Sequence, residues 1–203
     1  MPAPPSTRLI LASGSRYRQE LLARLRLPFD AITPDIDETP LPAETPQATA
    51  LRLAQAKAAV VALAAPDALI IGSDQVAILD GQQIGKPGSH ANALRQLQQL
   101  RGQSVVFHTA LCLLDGRVNA PAGKIQLSNI QSSVTFRDLS DHELDAYLRI
   151  EQPYDCAGSA KNESLGIALL EKIESTDPTA LTGLPLIALT SMLRRAGLSL
   201  FAT

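Results

Sequence analysis

The sequence predicts a mixed α/β fold with a mostly continuous central sheet and helices on its faces. Short apolar runs alternate with amphipathic helical patterns along the chain, which is typical of an α/β protein. A β-rich block over 104–136 adds several neighbouring strands. No linker divides the 203 residues, so we expect a single domain over 9–203 that follows a disordered lead over 1–8.

The first third of the chain predicts one strand and two helices. The apolar run LILA (9–12) is typical of a short buried strand, and the pattern over 17–26 predicts an amphipathic helix. A proline-rich loop over 29–46 begins as a possible strand. A second helix is predicted over 47–64.

The middle of the chain predicts a hairpin and a capped helix. A buried run ends at Ser73-Asp74, and short strands at 76–79 and 82–84 flank an Asp80-Gly81 turn, which is a hairpin signal. Ser89 is a good N-cap for the helix that follows.

The C-terminal half predicts further strands and two helices. Strands occupy much of 104–136, and Ser140 with Glu143 forms a capping box that begins a helix. The run LGIALLEKI (165–173) is typical of a strand, and the last helix is predicted over 184–196.

Composition excludes several classes of partner. The 18 basic and 20 acidic residues give a net charge of −2, without the basic excess that nucleic-acid binding needs. Aromatic residues make up 3% of the chain, which leaves few surfaces on which bases could stack. The apolar stretch at 58–65 is too short to cross a bilayer. We therefore expect a soluble cytoplasmic protein that binds neither a nucleic acid polymer nor a membrane.

The two cysteines, Cys112 and Cys156, fit neither a zinc motif nor a disulfide framework. We interpret them as buried, reduced thiols. The three histidines are scattered and do not have the spacing of a metal site.

Lys57 breaks the pattern of its helix, because residues three, four and seven positions away are apolar. One interpretation is that its stem lies along the edge of the core while the ammonium reaches water. The other is that the ammonium enters a site, where burial demands a negative partner such as a carboxylate or a phosphate.

Asp74 and Gln75 follow a buried strand, a position at which ligands and catalytic groups gather in α/β sheets. Lys86 lies between Gly85 and Pro87, one hairpin later. Each also has a plainer interpretation, Asp74 as the cap of a turn and Lys86 as a solvated lysine.

Asp35, Asp37 and Glu38 form a group of carboxylates in the proline-rich loop. Carboxylates bind Mg²⁺ well, and substrate phosphates commonly complete the coordination. A solvated acidic loop is the alternative interpretation.

The turn over 13–18 joins a buried strand to a helix and contains two serines, a glycine and two arginines. Amides at a helix start together with guanidinium groups can bind an anion. The pattern is neither a Walker A loop nor GxGxxG, and taken alone it is equally compatible with an ordinary turn.

Taken in order, these motifs resemble the Maf family of nucleotide pyrophosphatases. The likeness rests on ASGSRYR, DETP (37–40), the Lys57 helix, GSDQ (72–75) and GKP (85–87), and continues to TGLPLIAL (182–189). The segments RLAQAKA, LIIGSDQVAILDG and CAGSAKNESLGI are most similar to the 7-methyl-GTP pyrophosphatase branch.

The resemblance implies a Maf/ITPase-like fold, in which the central sheet is elongated and two lobes flank a cleft, usually in a homodimer. It also implies hydrolysis of a nucleoside triphosphate to the monophosphate and pyrophosphate with a divalent cation, Mg²⁺ or Mn²⁺.

The resemblance further implies a role for each motif residue. Asp74 is the proton acceptor and, with Glu38, a metal ligand. The phosphate contacts are Ser13, Ser15, Arg18, Lys57 and Lys86, and the residues of base selection are Tyr17, Gln75 and Glu163.

The chain departs from the family pattern in its first turn. The family usually has Ser or Thr where Gly14 stands, Pro where Arg16 stands, and a second arginine where Gln19 stands. Arg16 is therefore a candidate to supply the missing charge from another direction.

The base preference follows from charge. N7-methylation makes guanine cationic, and an aromatic face such as that of Tyr17 and a carboxylate such as that of Glu163 both attract a cation. We expect a preference for 7-methyl-GTP. The alternatives are a Maf pyrophosphatase with another preference, such as dTTP, UTP or another modified nucleotide, and a nucleotide-binding septation regulator with little turnover.

Overall fold

The structure is a computed structural model that describes residues 7–120 and 124–201. Residues 1–6 of the predicted lead lie outside the described residues. The strands and α-helices, in chain order, are β1 (Leu9–Ala12), α1 (Arg16–Ala23), β2 (Asp30–Ala31), α2 (Pro46–Ala62), β3 (Leu69–Leu79), β4 (Gln82–Ile84), α3 (His90–Leu100), β5 (Ser104–Asp115), β6 (Ile125–Phe136), α4 (Asp141–Glu151), β7 (Leu170–Ser175) and α5 (Leu186–Arg195).

The strands form one seven-stranded sheet, in the order β2-β1-β3-β5-β6-β7 with β4 paired to β3. β1 pairs in parallel with β2 and β3, and the pairings of β3 with β4 and β5, β5 with β6, and β6 with β7 are antiparallel. The predicted mixed α/β fold is confirmed. That residues 9–203 form a single domain remains a prediction.

β3 is longer than the sequence predicted. The sequence pattern ended the buried run at Ser73-Asp74 and predicted a separate short strand over 76–79, whereas both belong to one strand that continues to Leu79. Its parallel partner β1 ends where Ala12 lies opposite Gly72. Asp74 is therefore not at the end of its own strand, but it lies just beyond the end of the neighbouring one, where the sheet opens on that side.

Helix α2 packs very closely on β3. Thr45 caps the helix by accepting a hydrogen bond from the amide of Ala48, at 3.2 Å, and Pro46 follows at the first turn. A Cβ atom built on Gly72 would lie 2.0 Å from the carbonyl oxygen of Ala54. The glycine thus permits the approach that brings the side chain of Lys57 to β3.

Three apolar clusters surround the sheet. One packs β1 against α1 and α5, and includes Leu11, Leu22 and Leu189. A second lies under α2 on the opposite face of β1, and a third joins α3 and α4 to the far ends of β5 and β6, around Phe107 and Phe136. The cleft that the family resemblance implied is lined by Phe107 and Phe136 of the third cluster and by Ala12 and Val76 of the second.

Two segments differ from the predicted elements. Helix α1 ends at Ala23 rather than near residue 26, where Arg26 has a left-handed φ of 55°. The predicted strand at 165–173 is a 3₁₀ helix over Leu165–Leu169 that leads into β7. A short apolar run does not distinguish these two conformations.

The predicted capping box is present. The hydroxyl of Ser140 accepts a hydrogen bond from the amide of Glu143, and the Glu143 carboxylate accepts one from the amide of Ser140. Among the described helices, none has the length and apolar character needed to cross a bilayer.

We predict that Gly72→Ala destabilises the protein by at least about 2 kcal/mol, because the added methyl group collides with the α2 backbone. Urea unfolding measures the effect. Gly85→Ala is the matched control, since a Cβ there meets nothing within 4 Å. Equal stability of the two variants would show that α2 does not depend on this close approach.

Candidate active site

A cleft of about 920 Å³ lies between the β1–α1 turn, β3, the loop after β4 and the segment that precedes β7. At its floor, the ammonium of Lys57 donates a hydrogen bond to Asp74 Oδ1 at 2.7 Å. It also forms an ion pair with Glu38 Oε1 at 2.8 Å. Lys57 is 5% exposed and Asp74 is 6% exposed, so this is a buried pair with a third, more exposed member.

These contacts decide between the two interpretations of Lys57. Its ammonium does not reach water at the edge of the core but is held by two carboxylates, as a buried cation requires. Of the three carboxylates in the proline-rich loop, Glu38 lines the cleft. Asp37 instead accepts a hydrogen bond from the amide of Thr39 at 2.9 Å.

The two carboxylates have opposite pKa shifts. Burial raises the pKa of Asp74, although the positive charges of Lys57 and Arg18 oppose that rise. Burial also acts to raise the pKa of Glu38, but the hydrogen bond and charge of Lys57, with Lys86 and Arg18, lower it overall. Asp74 therefore binds a proton more readily, whereas Glu38 stays ionised.

The donor set fits a divalent cation. Among residues 7–120 and 124–201, no three His, Cys, Asp or Glu side chains come together as a complete metal site. Asp74 and Glu38 nevertheless both contact one cationic atom, the Nζ of Lys57, so they are close enough to share a cation. Mg²⁺ is commonly held by one or two carboxylates and completed by substrate phosphates.

The β1–α1 turn forms one wall of the cleft. Ser15 caps α1 by accepting a hydrogen bond from the amide of Arg18 at 3.4 Å. The hydroxyl of Ser13 accepts from the amide of Ser15 at 3.1 Å and from Arg18 Nη1 at 3.5 Å. Arg18 also donates from Nε to the carbonyl of Gly183 at 2.9 Å, which fixes its guanidinium in the wall.

Two further cations line the cleft, and they differ in how far their charge is neutralised. Lys86, in the loop after β4, is exposed, and its charge contributes to the lowered pKa of Glu38. Arg16 is 87% exposed and donates from Nε to Glu20 at 2.7 Å, so a carboxylate already offsets its charge.

Tyr17, Gln75 and Glu163 line the same cleft. The amide nitrogen of Gln75 is committed within the protein, since Thr109 Oγ1 lies at 2.9 Å and the carbonyls of Ala180 and Leu181 at 3.0 Å. The carbonyl oxygen of Gln75 takes no part in these contacts, and it can accept a hydrogen bond. Burial raises the pKa of Tyr17, so the phenol stays protonated.

A family model described as Maf-like protein matches residues 8–196. The chain belongs to the Maf family. It is 66% identical over 193 residues to the 7-methyl-GTP pyrophosphatase of Cupriavidus metallidurans, covering 95% of each chain.

Further relatives agree in length and name. The chain is 64% identical to the 7-methyl-GTP pyrophosphatase of Ralstonia nicotianae, covering 96% of this chain and 98% of that one. It is 66% identical to that of Burkholderia thailandensis, covering 96% of this chain and 90% of that one. Among solved structures, the Staphylococcus aureus Ham1 protein resembles the chain with a TM-score of 0.46, at 16% identity over 65% of this chain and 73% of that one.

The Maf cleft also contains residues that the sequence analysis did not assign to it. Thr33 lies beside the β1–α1 turn, and Asp155, Asn162 and Thr182 line the wall near Glu163. Of these, Asn162 lies within the segment CAGSAKNESLGI and Thr182 begins TGLPLIAL, two segments that carry the likeness to the family but gave neither residue a role. Nothing in the sequence pattern around Thr33 pointed to a site.

The interpretation of the cysteines is half right. Cys112 is buried, as predicted. Cys156 is half-buried and lines the cleft, so the prediction that it is buried is wrong. Burial raises the pKa of each thiol to about 12, so both stay protonated.

We predict that Lys57→Met destabilises the Maf chain by about 3 kcal/mol near neutral pH, because it leaves Asp74 buried without its main counter-charge. The pKa of Asp74 then rises further above its unfolded value. A carboxyl with a raised pKa favours folding at low pH and loses that contribution as pH rises through the folded-state pKa.

The loss of stability in Lys57→Met should therefore be larger at about pH 8 than at about pH 4.5, as measured by urea unfolding at both values. Lys86→Met, which removes an exposed charge from the same cleft, is the control. A loss that does not change with pH would contradict the buried ion pair as its cause.

Proposed function

We propose that this chain hydrolyses 7-methyl-GTP to 7-methyl-GMP and diphosphate in a metal-dependent reaction and so removes modified nucleotides. The observation that carries the proposal is the buried contact of Lys57 with Asp74 and Glu38 on the floor of a cleft that Arg18 and Lys86 also line. The names of the most similar relatives support the same substrate.

The charges suit a triphosphate. The carboxylates Asp74 and Glu38 lie in the cleft with three cations, Arg18, Lys57 and Lys86, whose charges all act on Glu38. Phosphoryl transfer needs the charge on the phosphate oxygens neutralised and the attacking water held in line. A serine-rich turn with an arginine at its side binds phosphate oxygens by hydrogen bonds and by charge.

The two carboxylates have different roles in the proposed reaction. Asp74, whose pKa is raised, accepts the proton of the water that attacks the α-phosphate, since a base works best when its pKa approaches the working pH. Glu38, whose pKa is lowered, stays anionic and with Asp74 holds the divalent cation, Mg²⁺ or Mn²⁺. When bound, that cation neutralises charge on the phosphates.

Base selection belongs to Tyr17, Gln75 and Glu163, which line the same cleft. The ring of Tyr17 offers a π face to the cationic base of 7-methyl-GTP. The carboxylate of Glu163 can accept from the guanine N1–H and N2–H₂ and offset the positive charge. Gln75 contributes its carbonyl oxygen as a hydrogen-bond acceptor, since its amide nitrogen contacts Thr109 and Ala180. The homodimer, the cytoplasmic location and the absence of a nucleic acid polymer as partner stay predictions.

We predict that Asp74→Asn lowers kcat by about 10²- to 10⁴-fold, because the amide cannot accept the proton. Diphosphate release from 7-methyl-GTP, with and without Mg²⁺, measures the effect. Asp35→Asn removes a carboxylate that is not among those lining the cleft and serves as the control. Near-normal turnover of Asp74→Asn would remove Asp74 from the mechanism, and a wild-type protein that binds 7-methyl-GTP without releasing diphosphate would favour the regulator.

We predict that kcat/KM for 7-methyl-GTP exceeds that for GTP, dTTP and UTP, and that Glu163→Gln lowers the ratio of 7-methyl-GTP to GTP about tenfold. The reason is that only the methylated base is cationic. Glu171→Gln, the same change on exposed β7, should leave the ratio unaltered. Comparable hydrolysis of dTTP by the wild-type protein would overturn the preference.

A further inference from the structure

Thr33 is held beside the β1–α1 turn by the sheet itself. The carbonyl oxygen of Leu11, in β1, accepts hydrogen bonds from the amide of Ser13 at 2.9 Å and from the amide of Ile32 at 3.0 Å. One carbonyl oxygen therefore fixes both the turn and Ile32, the residue that precedes Thr33. Thr33 lines the cleft directly after it.

The side chain of Thr33 takes the space that a side chain at position 14 would fill. A Cβ atom built on Gly14 would lie 2.8 Å from Thr33 Oγ1 and 3.3 Å from its Cγ2. Gly14 does not have the left-handed φ that glycine alone adopts easily, so the requirement for glycine is one of space. The hydroxyl of Thr33 thus lies over the backbone of the β1–α1 turn.

Three hydroxyl groups on this wall have protons to donate. Ser13 and Ser15 each use their oxygen to accept hydrogen bonds from the turn. Within residues 7–120 and 124–201, no acceptor lies in hydrogen-bond contact with the hydroxyl protons of Ser13, Ser15 or Thr33. Donors without acceptors beside the guanidinium of Arg18 form a surface that suits an anion.

We propose that Thr33 is a third hydroxyl contact to the phosphate chain of the substrate, and that Gly14 is needed to admit it. This inference rests on the proposed function, because it places the phosphates against the β1–α1 turn. Thr33 binds the phosphates equally in the ground state and in the transition state, so it acts on binding rather than on turnover.

The first test compares Thr33→Val, which keeps the shape and loses the hydroxyl, with Thr33→Ser, which keeps the hydroxyl. Calorimetry with inorganic tripolyphosphate measures phosphate binding without a base, and kinetics use 7-methyl-GTP. We expect Thr33→Val to raise the tripolyphosphate Kd and the KM about tenfold with kcat within about twofold, since a hydrogen bond to a charged group is lost. Thr33→Ser should stay close to wild type.

The second test moves the hydroxyl from position 33 to position 14, whose side chain would occupy the same space. Thr33→Ala removes it, and Gly14→Ser alone collides with Thr33, so each single variant should bind tripolyphosphate more weakly. The double variant Gly14→Ser with Thr33→Ala puts a hydroxyl back where Thr33 had its own and should recover most of the affinity. The control is Gly14→Ala with Thr33→Ala, which relieves the collision without restoring a hydroxyl. Equal recovery in that variant would show a merely structural role for Thr33.

The outcomes separate this inference from the proposed function. An unchanged Kd in Thr33→Val, with wild-type hydrolysis of 7-methyl-GTP intact, overturns the role of Thr33 and leaves the pyrophosphatase standing. If the wild-type protein neither binds tripolyphosphate nor releases diphosphate from any nucleoside triphosphate, both are overturned. Thermal unfolding of each variant confirms that the comparison is made on folded protein.

Discussion

The ammonium of Lys57, held between Asp74 and Glu38, is the interaction on which the rest of the site depends. A lysine on the apolar face of α2 is tolerable because two carboxylates neutralise it, and Asp74 is tolerable in β3 because the lysine reaches it. Gly72 makes the meeting possible by letting α2 approach β3 to backbone contact. Packing and chemistry are therefore coupled, since the contact that buries the helix also assembles the charges.

The surroundings of that contact give its two carboxylates different properties. Burial within the sheet raises the pKa of Asp74, whereas Glu38, on an exposed loop facing three cations, has a lowered pKa. A carboxyl that takes up a proton more readily and a carboxylate that stays ionised thus lie within reach of one lysine. The positive charges beside these two carboxylates come from the β1–α1 turn, helix α2 and the loop after β4, three elements that the central sheet fixes relative to one another.

Much of the fold could be predicted because its signals are local. The strand β1, the capping box of α4 and the hairpin of β3 and β4 depend on neighbouring residues, and each is present. The strand predicted at 165–173 was wrong over its first half, since a short apolar run fits both a strand and a buried 3₁₀ turn. Asp74 lies in the cleft for a different reason than the pattern suggested, because the neighbouring strand β1 ends opposite Gly72 whereas β3 continues to Leu79.

The sequence by itself determined the alternation of strands and helices, the family, and Lys57 as a residue in need of a counter-charge. Tertiary structure decided which groups meet it and which are already engaged. In the folded chain Glu38 forms an ion pair with Lys57, and the amide of Gln75 donates to the carbonyls of Ala180 and Leu181. The side chain of Thr33 lies against Gly14. These contacts join residues far apart in the chain, and their geometry depends on strand register and helix packing, which local periodicity does not encode.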